Sequence, residues 1–389
     1  MSAVLGLEAL PFASRMKARV CGLRNALIMS AKFQEIAAKT PFSRPIARAQ
    51  AQGVFDLVAG FVYSQVLLAC VQLKLFEHLE DGPKTLGDLA RRMDLPMPAA
   101  RQLLDAALAL RLVSSIGAGR YTIGFRGAAI AGNPAVLSMI EHHAMVYADL
   151  ADPVALLRGT HAKTGLANYW SYCGVPSAVL PDQRIADYTR LMSRSQSLVA
   201  GQVLDAYPVN QHHKILDIGG GDGTFLRSVA ARAPGIALEL FDLPAVAERA
   251  RANFAAAGLE LRAAARGGNF RDDDLPEGAD LITLVRVVHD HDDDVVMMLL
   301  HKIRRALSPG GTLLIAEPMS GTRGAESVTD AYFGFYLMAM GSGRPRSAEE
   351  LTAMLGAAGF SHTREIKTNL PMQTRLLSAQ IDKISVNKT

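Results

Sequence analysis

The sequence predicts an α/β protein in which a mainly helical front portion of winged-helix-like order precedes a doubly wound, mostly parallel sheet. Three observations carry this. Apolar residues from Val54 to about Tyr121 recur at three- and four-residue spacing, the helical period. From Lys214 onward, short apolar strand runs alternate with helical stretches, the pattern of a parallel sheet. The first of those runs ends in a glycine cluster. At 389 residues the chain exceeds one typical domain of roughly 100–200 residues, so it can bury two cores unaided.

Residues 1–50 read as a basic N-terminal extension: Arg15, Lys17, Arg19, Arg24, Lys32, Lys39, Arg44 and Arg48 face few acids. Two X-Pro steps, Thr40-Pro41 and Arg44-Pro45, are expected to break its helical pattern. Residues 51–130 form the winged-helix-like unit. There Thr85 is a plausible N-cap, Ala99 to Leu110 a helix, and Leu112 to Ser114 with Arg120 to Ile123 a small hairpin. The helix that would enter a DNA groove offers Arg101 but also Asp105 and is otherwise mostly apolar, so burial and dimerisation suit it better than phosphate contact. No nucleic-acid role is expected. Residues 131–210 are a helical connection carrying Trp170, residues 211–375 the sheet domain, and residues 376–389 a C-terminal tail.

Net charge of +4 and a pI near 8.9 are mild. Cys21, Cys70 and Cys173 are scattered and odd in number, which encodes neither a disulfide framework nor a zinc site and suits a reducing, cytoplasmic setting. No apolar run approaches the roughly 20 residues of a membrane span, and the start lacks the layout of a secretory signal.

The sharpest local signal is Leu216-Asp217-Ile218-Gly219-Gly220-Gly221-Asp222-Gly223-Thr224. A strand running into glycines lets backbone approach a ligand where no side chain fits. Dinucleotide folds use the same device, but here the spacing gives Gly219-x-Gly221-x-x-Thr224 without the third glycine. Asp217 would also repel a pyrophosphate while accepting hydrogen bonds from the ammonium of a methionyl group. A nicotinamide dehydrogenase is disfavoured for both reasons. Asp242, in Phe241-Asp242-Leu243-Pro244, stands roughly 20 residues on, where a carboxylate commonly takes a ribose diol; it can equally cap a helix.

After the third strand run comes Arg286-Val287-Val288-His289-Asp290-His291-Asp292-Asp293-Asp294. Two histidines amid acids suggest a metal, but His289 and His291 are two apart and point oppositely if the strand persists, while the later aspartates suit a helix's first turn. No metal is expected. His289 at the carboxyl mouth of a parallel sheet is well placed as a general base. Glu317, ending the fourth strand run, can orient His289 through its far ring nitrogen or simply bind backbone.

Together these motifs resemble the class I S-adenosylmethionine-dependent O-methyltransferases related to plant caffeate and chalcone methyltransferases, over residues from about 50 to 375. The runs Phe55 to Gln65, Arg286 to Asp293, and Ala331 to Tyr336 through Gly341 to Ser347 are most similar to the bacterial carotenoid O-methyltransferases of the spheroidene and spirilloxanthin pathways. The resemblance implies a Rossmann-like domain binding S-adenosylmethionine behind a dimerisation domain, and a homodimer. It implies methylation of the tertiary C-1 hydroxyl of acyclic hydroxycarotenoids by a catalytic set of His289, Glu317 and Asp290. Cofactor contacts would come from Asp217, Gly219, Gly220, Gly221, Asp242, Leu243, Gly268, Asn269, Phe270 and Arg286.

Departures from the family pattern are specific. Gly268-Asn269-Phe270 lacks the aspartate that holds adenine, leaving Asn269 or a backbone carbonyl. Val285 replaces a lysine, with Arg286 the nearby cation. His291 replaces a tryptophan, and Pro345 stands where a second acid flanks the base.

The stretch Tyr332, Phe333, Phe335, Tyr336, Leu337, Met338 and Met340, with Met297 and Met298, is adaptable apolar surface for a long polyene, or else a buried or dimer-facing helix. A carotenoid lives in membrane, so the basic segment 15–48 is expected to dock on anionic lipid, making the enzyme cytoplasmic but peripherally attached. The rival within the enzyme class is a phenol or polyketide O-methyltransferase. A non-catalytic winged-helix sensor is opposed by an intact His289.

Overall fold

A computed structural model describes residues 11–169 and 196–382, so Trp170 and Cys173 lie outside the described residues. The chain divides after Gly127 into two compact units.

The first unit opens with three helices, Phe12–Met29, Ala31–Lys39 and Arg44–Gln72. The break expected at Thr40-Pro41 ends the second helix. That expected at Arg44-Pro45 is instead a beginning, because Pro45 stands in the first turn of the third helix, where its missing N–H has no partner to lose. The boundary placed at residue 50 therefore falls inside a continuous helix. A second expectation also changes: Arg44–Gln72 is long and apolar enough, by length and composition only, to cross a membrane, with mean hydropathy 1.9 and 17% of that window buried. Counting unbroken apolar runs missed it because glutamines and Asp56 interrupt the run without lowering its average enough.

Further on, Thr85 accepts the N–H of Asp88 while the Asp88 carboxylate accepts that of Thr85, a reciprocal cap that starts the helix Leu86–Arg92. The helix Met97–Ala109 buries Ala100, Leu104 and Ala107 on one face and leaves Arg101 and Asp105 exposed. A three-stranded antiparallel sheet follows, β1 (Lys84–Thr85), β2 (Val113–Ser115) and β3 (Arg120–Ile123), in the order β1-β3-β2.

The second unit is built on seven strands: β4 (Lys214–Ile218), β5 (Ala237–Asp242), β6 (Ala263–Gly267), β7 (Ala279–Val285), β8 (Leu307–Glu317), β9 (Ser361–Ile366) and β10 (Arg375–Gln380). Their spatial order is β6-β5-β4-β7-β8-β10-β9; the first five are parallel, and β10 runs antiparallel to both neighbours. The residues from 376 onward are thus not all tail: Leu376 and Leu377 are core, in a strand hydrogen-bonded on both edges.

Alternation along each strand divides the apolar residues between two layers, as a sheet covered on both faces requires. Ile215, Leu281, Val285 and Leu314 face one layer with Phe225, Val229 and Phe254. Leu216, Ile282, Leu284 and Ile315 face the other with Leu299, Ile303, Leu351 and Leu355. Strand order reverses between β4 and β7, so the connections leaving their carboxyl ends part to opposite sides and open a crevice there.

Candidate active site

The crevice is lined first by the loop after β4. Gly219, Gly221 and Gly223 all have positive φ (69°, 61° and 81°), which glycine alone adopts without strain. At Gly219 the space is also closed, since a Cβ would lie 2.8 Å from Val287 Cγ2, so the β4 and β7 loops touch through this residue. A Cβ at Gly223 would meet the Phe254 ring at 2.5 Å. Gly223 thus supplies the close helix packing for which the sequence spacing offered no third glycine.

Asp217 and Thr283 are register partners on β4 and β7, and the Thr283 hydroxyl donates to Asp217 Oδ1 at 2.6 Å. Asp217 Oδ2 is buried with no hydrogen-bond partner. Burial pushes this carboxyl up to about 7, against the pull of Thr283 and with help from Asp242. A buried carboxyl with one oxygen unmatched can take a further donor.

Asp242, ending β5, accepts the N–H of Gly221 on Oδ2 at 2.8 Å and that of Leu243 on Oδ1 at 2.7 Å. It ties the glycine loop to the next helix while lining the cavity; burial raises it to about 6, moderated by those two N–H groups. After β6, the Gly268 N–H donates to Asp242 O at 2.9 Å, and a Cβ there would strike Phe241 at 2.5 Å. Asn269 is engaged within its own turn, Nδ2 donating to Asp272 Oδ2 at 2.7 Å and Oδ1 accepting the Arg271 N–H at 3.1 Å. Its amide shapes this loop, and Phe270 beside it packs edge-on to His291 with ring centres 5.1 Å apart.

β7 ends at Val285; Arg286, with φ 61°, turns the chain out of the sheet into a single 3-10 turn, Val288–Asp290. The expectation that His289 and His291 point oppositely assumed a continuing strand; with the strand ended, both line the same cavity. His289 is buried between two acids. Its Nε2 is 3.2 Å from Asp290 Oδ1 and its Nδ1 3.4 Å from Glu317 Oε2, and its backbone N–H donates to that same Glu317 oxygen at 3.1 Å. Glu317 thus accepts the His289 backbone N–H and lies beside the ring, while Nδ1 itself and Glu317 Oε1 have no hydrogen-bond partner among the described residues. Burial alone would push the imidazole down, but Asp290 and then Glu317 outweigh it and hold His289 up at about 10. At His291 burial outweighs the pull of Asp290 and pushes the imidazole down to about 4. The charge on His289 stabilises the fold in full below the ordinary imidazole value and ceases to as pH rises through about 10.

The far wall is apolar: Tyr332, Phe333, Tyr336, Leu337 and Met340, from a π-helical turn (Ser327–Tyr332) and the helix Phe333–Met340, with Met139 opposite. Met297 packs against the sheet core, and neither it nor Met298 lines this cavity. Sequence reading missed two residues here. His143 Nε2 lies 2.9 Å from the Tyr332 hydroxyl and His142 Nε2 2.9 Å from that of Tyr336. The only available signal was two adjacent histidines in an apolar helix and two tyrosines at i, i+4. Burial lowers both histidines, His142 to about 4, so the wall carries no cation from them at neutral pH.

The seven-stranded, mostly parallel sheet with its glycine cradle at the switch point has the class I methyltransferase fold. Residues 147–361 match the O-methyltransferase domain and residues 55–125 the O-methyltransferase dimerisation domain. The chain belongs to the S-adenosylmethionine-dependent O-methyltransferase family, and the dimerisation domain supports a homodimer. It is 42% identical over 351 residues to demethylspheroidene O-methyltransferase of Cereibacter sphaeroides, covering 90% of each chain. It is 40% identical over 360 residues to the enzyme of that name from Rhodobacter capsulatus, covering 91% of this chain and 88% of that one. Among solved structures, mitomycin 7-O-methyltransferase superposes with a TM-score of 0.73 at 25% identity, covering 87% of this chain and 99% of the other.

Because the folded-state value of Asp217 lies above its ordinary one, the ligand-free protein loses stability as pH rises from about 4 through 7. Asp217→Asn is expected to raise the ligand-free Tm at pH 8 and to shrink the Tm gain on adding S-adenosylmethionine, both read by differential scanning fluorimetry. A variant with an unchanged cofactor-induced gain would remove the acid from the cofactor site.

Proposed function

We propose that the chain transfers a methyl group to the tertiary C-1 hydroxyl of an acyclic hydroxycarotenoid, with His289 as general base. The observation that carries this is the site's division into a polar cradle and an aromatic, methionine-bearing wall whose tyrosine hydroxyls already have histidine partners. Such a wall suits a long apolar substrate with one reacting oxygen. The 42% identity to a demethylspheroidene enzyme supports the same substrate class.

Asp217 would take the methionyl ammonium, Asp242 the ribose hydroxyls, and the backbone of Gly219 to Gly221 would lie against the cofactor, with Leu243, Gly268, Asn269, Phe270 and Arg286 around it. Bound S-adenosylmethionine supplies a methyl group made electrophilic by its sulfonium sulfur. The protein's own work is to align the hydroxyl, exclude water and move one proton. Glu317 at Nδ1 fixes the ring, and Nε2, beside Asp290, is the nitrogen that the hydroxyl addresses. A tertiary alcohol is too weak an acid to ionise first, so His289 takes the proton as the carbon–oxygen bond forms, an effect on the order of 10²–10⁴ in rate. Since His289 must be neutral to act, kcat/KM is set to climb with pH beyond the range of an ordinary histidine.

The N-terminal helices support membrane docking. Between residues 11 and 54 stand eight Lys or Arg against one acid, Glu35. Phe12, Met16, Val20, Leu23 and Leu27 form one helical stripe and are all exposed, while Arg15, Ala18 and Cys21 on the other side are half-buried. Cations flanking an exposed apolar stripe fit an anionic lipid surface.

With S-adenosylmethionine and a panel of a 1-hydroxycarotenoid and several phenols, mass detection is expected to find the methylated carotenoid. His289→Gln should nearly abolish it while binding the cofactor normally by calorimetry. Methylation of phenols alone would shift the reading to a phenolic substrate, and a largely active His289→Gln would remove the base.

Separately, flotation with vesicles rich in phosphatidylglycerol should carry the wild type. It should not carry a variant with Arg15, Lys17, Arg19 and Arg24 changed to Glu; equal flotation of both contradicts docking through this helix.

A further inference from the structure

Pro345 has no side-chain acid to offer the base, yet the residues around it grip the turn that carries His289. Arg346 is the largest wholly buried side chain among the described residues. Its Nη1 donates to Val288 O at 2.9 Å and its Nη2 to His291 O at 2.8 Å, the carbonyls just before His289 and just after Asp290. Nε and Nη2 also reach Asp293 Oδ1, at 2.9 and 2.6 Å. Ser342 Oγ donates to Asp290 O at 3.0 Å and the Gly343 N–H to Asp292 Oδ1 at 2.9 Å. Gly343 lies so close that a Cβ would stand 2.1 Å from His289 O. The Arg346 carbonyl in turn accepts the Ser320 N–H at 2.9 Å, tying the loop to the chain beyond Glu317.

Burying a guanidinium is costly, and Asp293, the acid it pairs with directly among the described residues, is 55% exposed, so the ion pair alone is a weak reason for placing it there. The planar fork explains the choice. Two donors with fixed divergence hold two carbonyls three residues apart, which a lysine's point charge does not do.

We propose that Arg346, with Ser342 and Gly343, is a positioning clamp that fixes the backbone on both sides of His289 and so keeps its imidazole between Asp290 and Glu317. The proposal rests on the reading of His289 as the base. The charged and titratable groups facing that ring are Asp290 and His291 from its own turn, Glu317 from the end of β8, and Arg346 behind the turn.

The test is the pH dependence of kcat/KM for the full-length protein with S-adenosylmethionine and a 1-hydroxycarotenoid. Arg346→Lys is expected to lower kcat by about 10-fold or more, as small displacements of a catalytic group do. KM for S-adenosylmethionine should be nearly unchanged, and the acid limb should move to lower pH as the imidazole leaves its carboxylates. A rate loss that only tracks the folded fraction, with the limb unmoved, overturns the clamp. Should that variant not fold, Asp293→Asn is expected to move the limb the same way, and an unmoved limb there overturns the clamp equally. His289→Gln in the same assay separates the two claims. If it stays active, the base assignment falls and the clamp with it; if it is dead while the Arg346→Lys limb is unmoved, only the clamp falls.

Discussion

A buried imidazole facing two carboxylates is the constraint around which the sheet domain is arranged. Desolvation works against charge on His289, and only the nearness of both Asp290 and Glu317 reverses it. Glu317 must therefore end a strand adjacent to the one that delivers His289, which the β7–β8 pairing provides. The turn between them must also be held in place. Arg346 and Gly343 do this from the side away from the cavity, and Phe333 closes over the ring at 6.0 Å.

The cradle across the crevice obeys a different rule, close approach of backbone. Positive φ at Gly219 and Gly221 bends the chain away from β4, and contact with Val287 ties that bend to the histidine turn. Across the crevice, Asp217 Oδ2, His289 Nδ1 and Glu317 Oε1 are all buried without a hydrogen-bond partner among the described residues. Two carboxyls that burial raises, Asp217 to about 7 and Asp242 to about 6, thus line one end of the site, and Asp290 and Glu317 flank His289 at the other.

Elements built from local pattern were legible in the sequence. β4, β5, β7 and β8 read directly because a strand buried on both faces is nearly continuous in Val, Ile and Leu. The glycine loop, Asp242, His289 and Glu317 followed because each sits where a strand ends. β6 escaped because Ala263 to Gly267 carries no β-branched residue, and β9 because Ser361 to Ile366 is a polar edge. β10 was taken for tail because its pairing with β8 spans about sixty residues that nothing local announces. The same holds for side chains. His142 and His143 meet tyrosines almost two hundred residues away, and Arg346 reaches back past fifty, so local spacing does not announce which residues pair. Asn269, which does follow a strand, was given a ligand by sequence but has an amide engaged by its own turn.

The measurement closest to the centre of this account is an NMR titration of His289 in the ligand-free, ¹³C-histidine-labelled protein, assigned by comparison with His289→Gln. The account predicts a resonance that stays in its imidazolium position through neutral pH and titrates near 10. Titration at the ordinary imidazole value of about 6.5 would show that the two carboxylates do not hold the ring, and would contradict it.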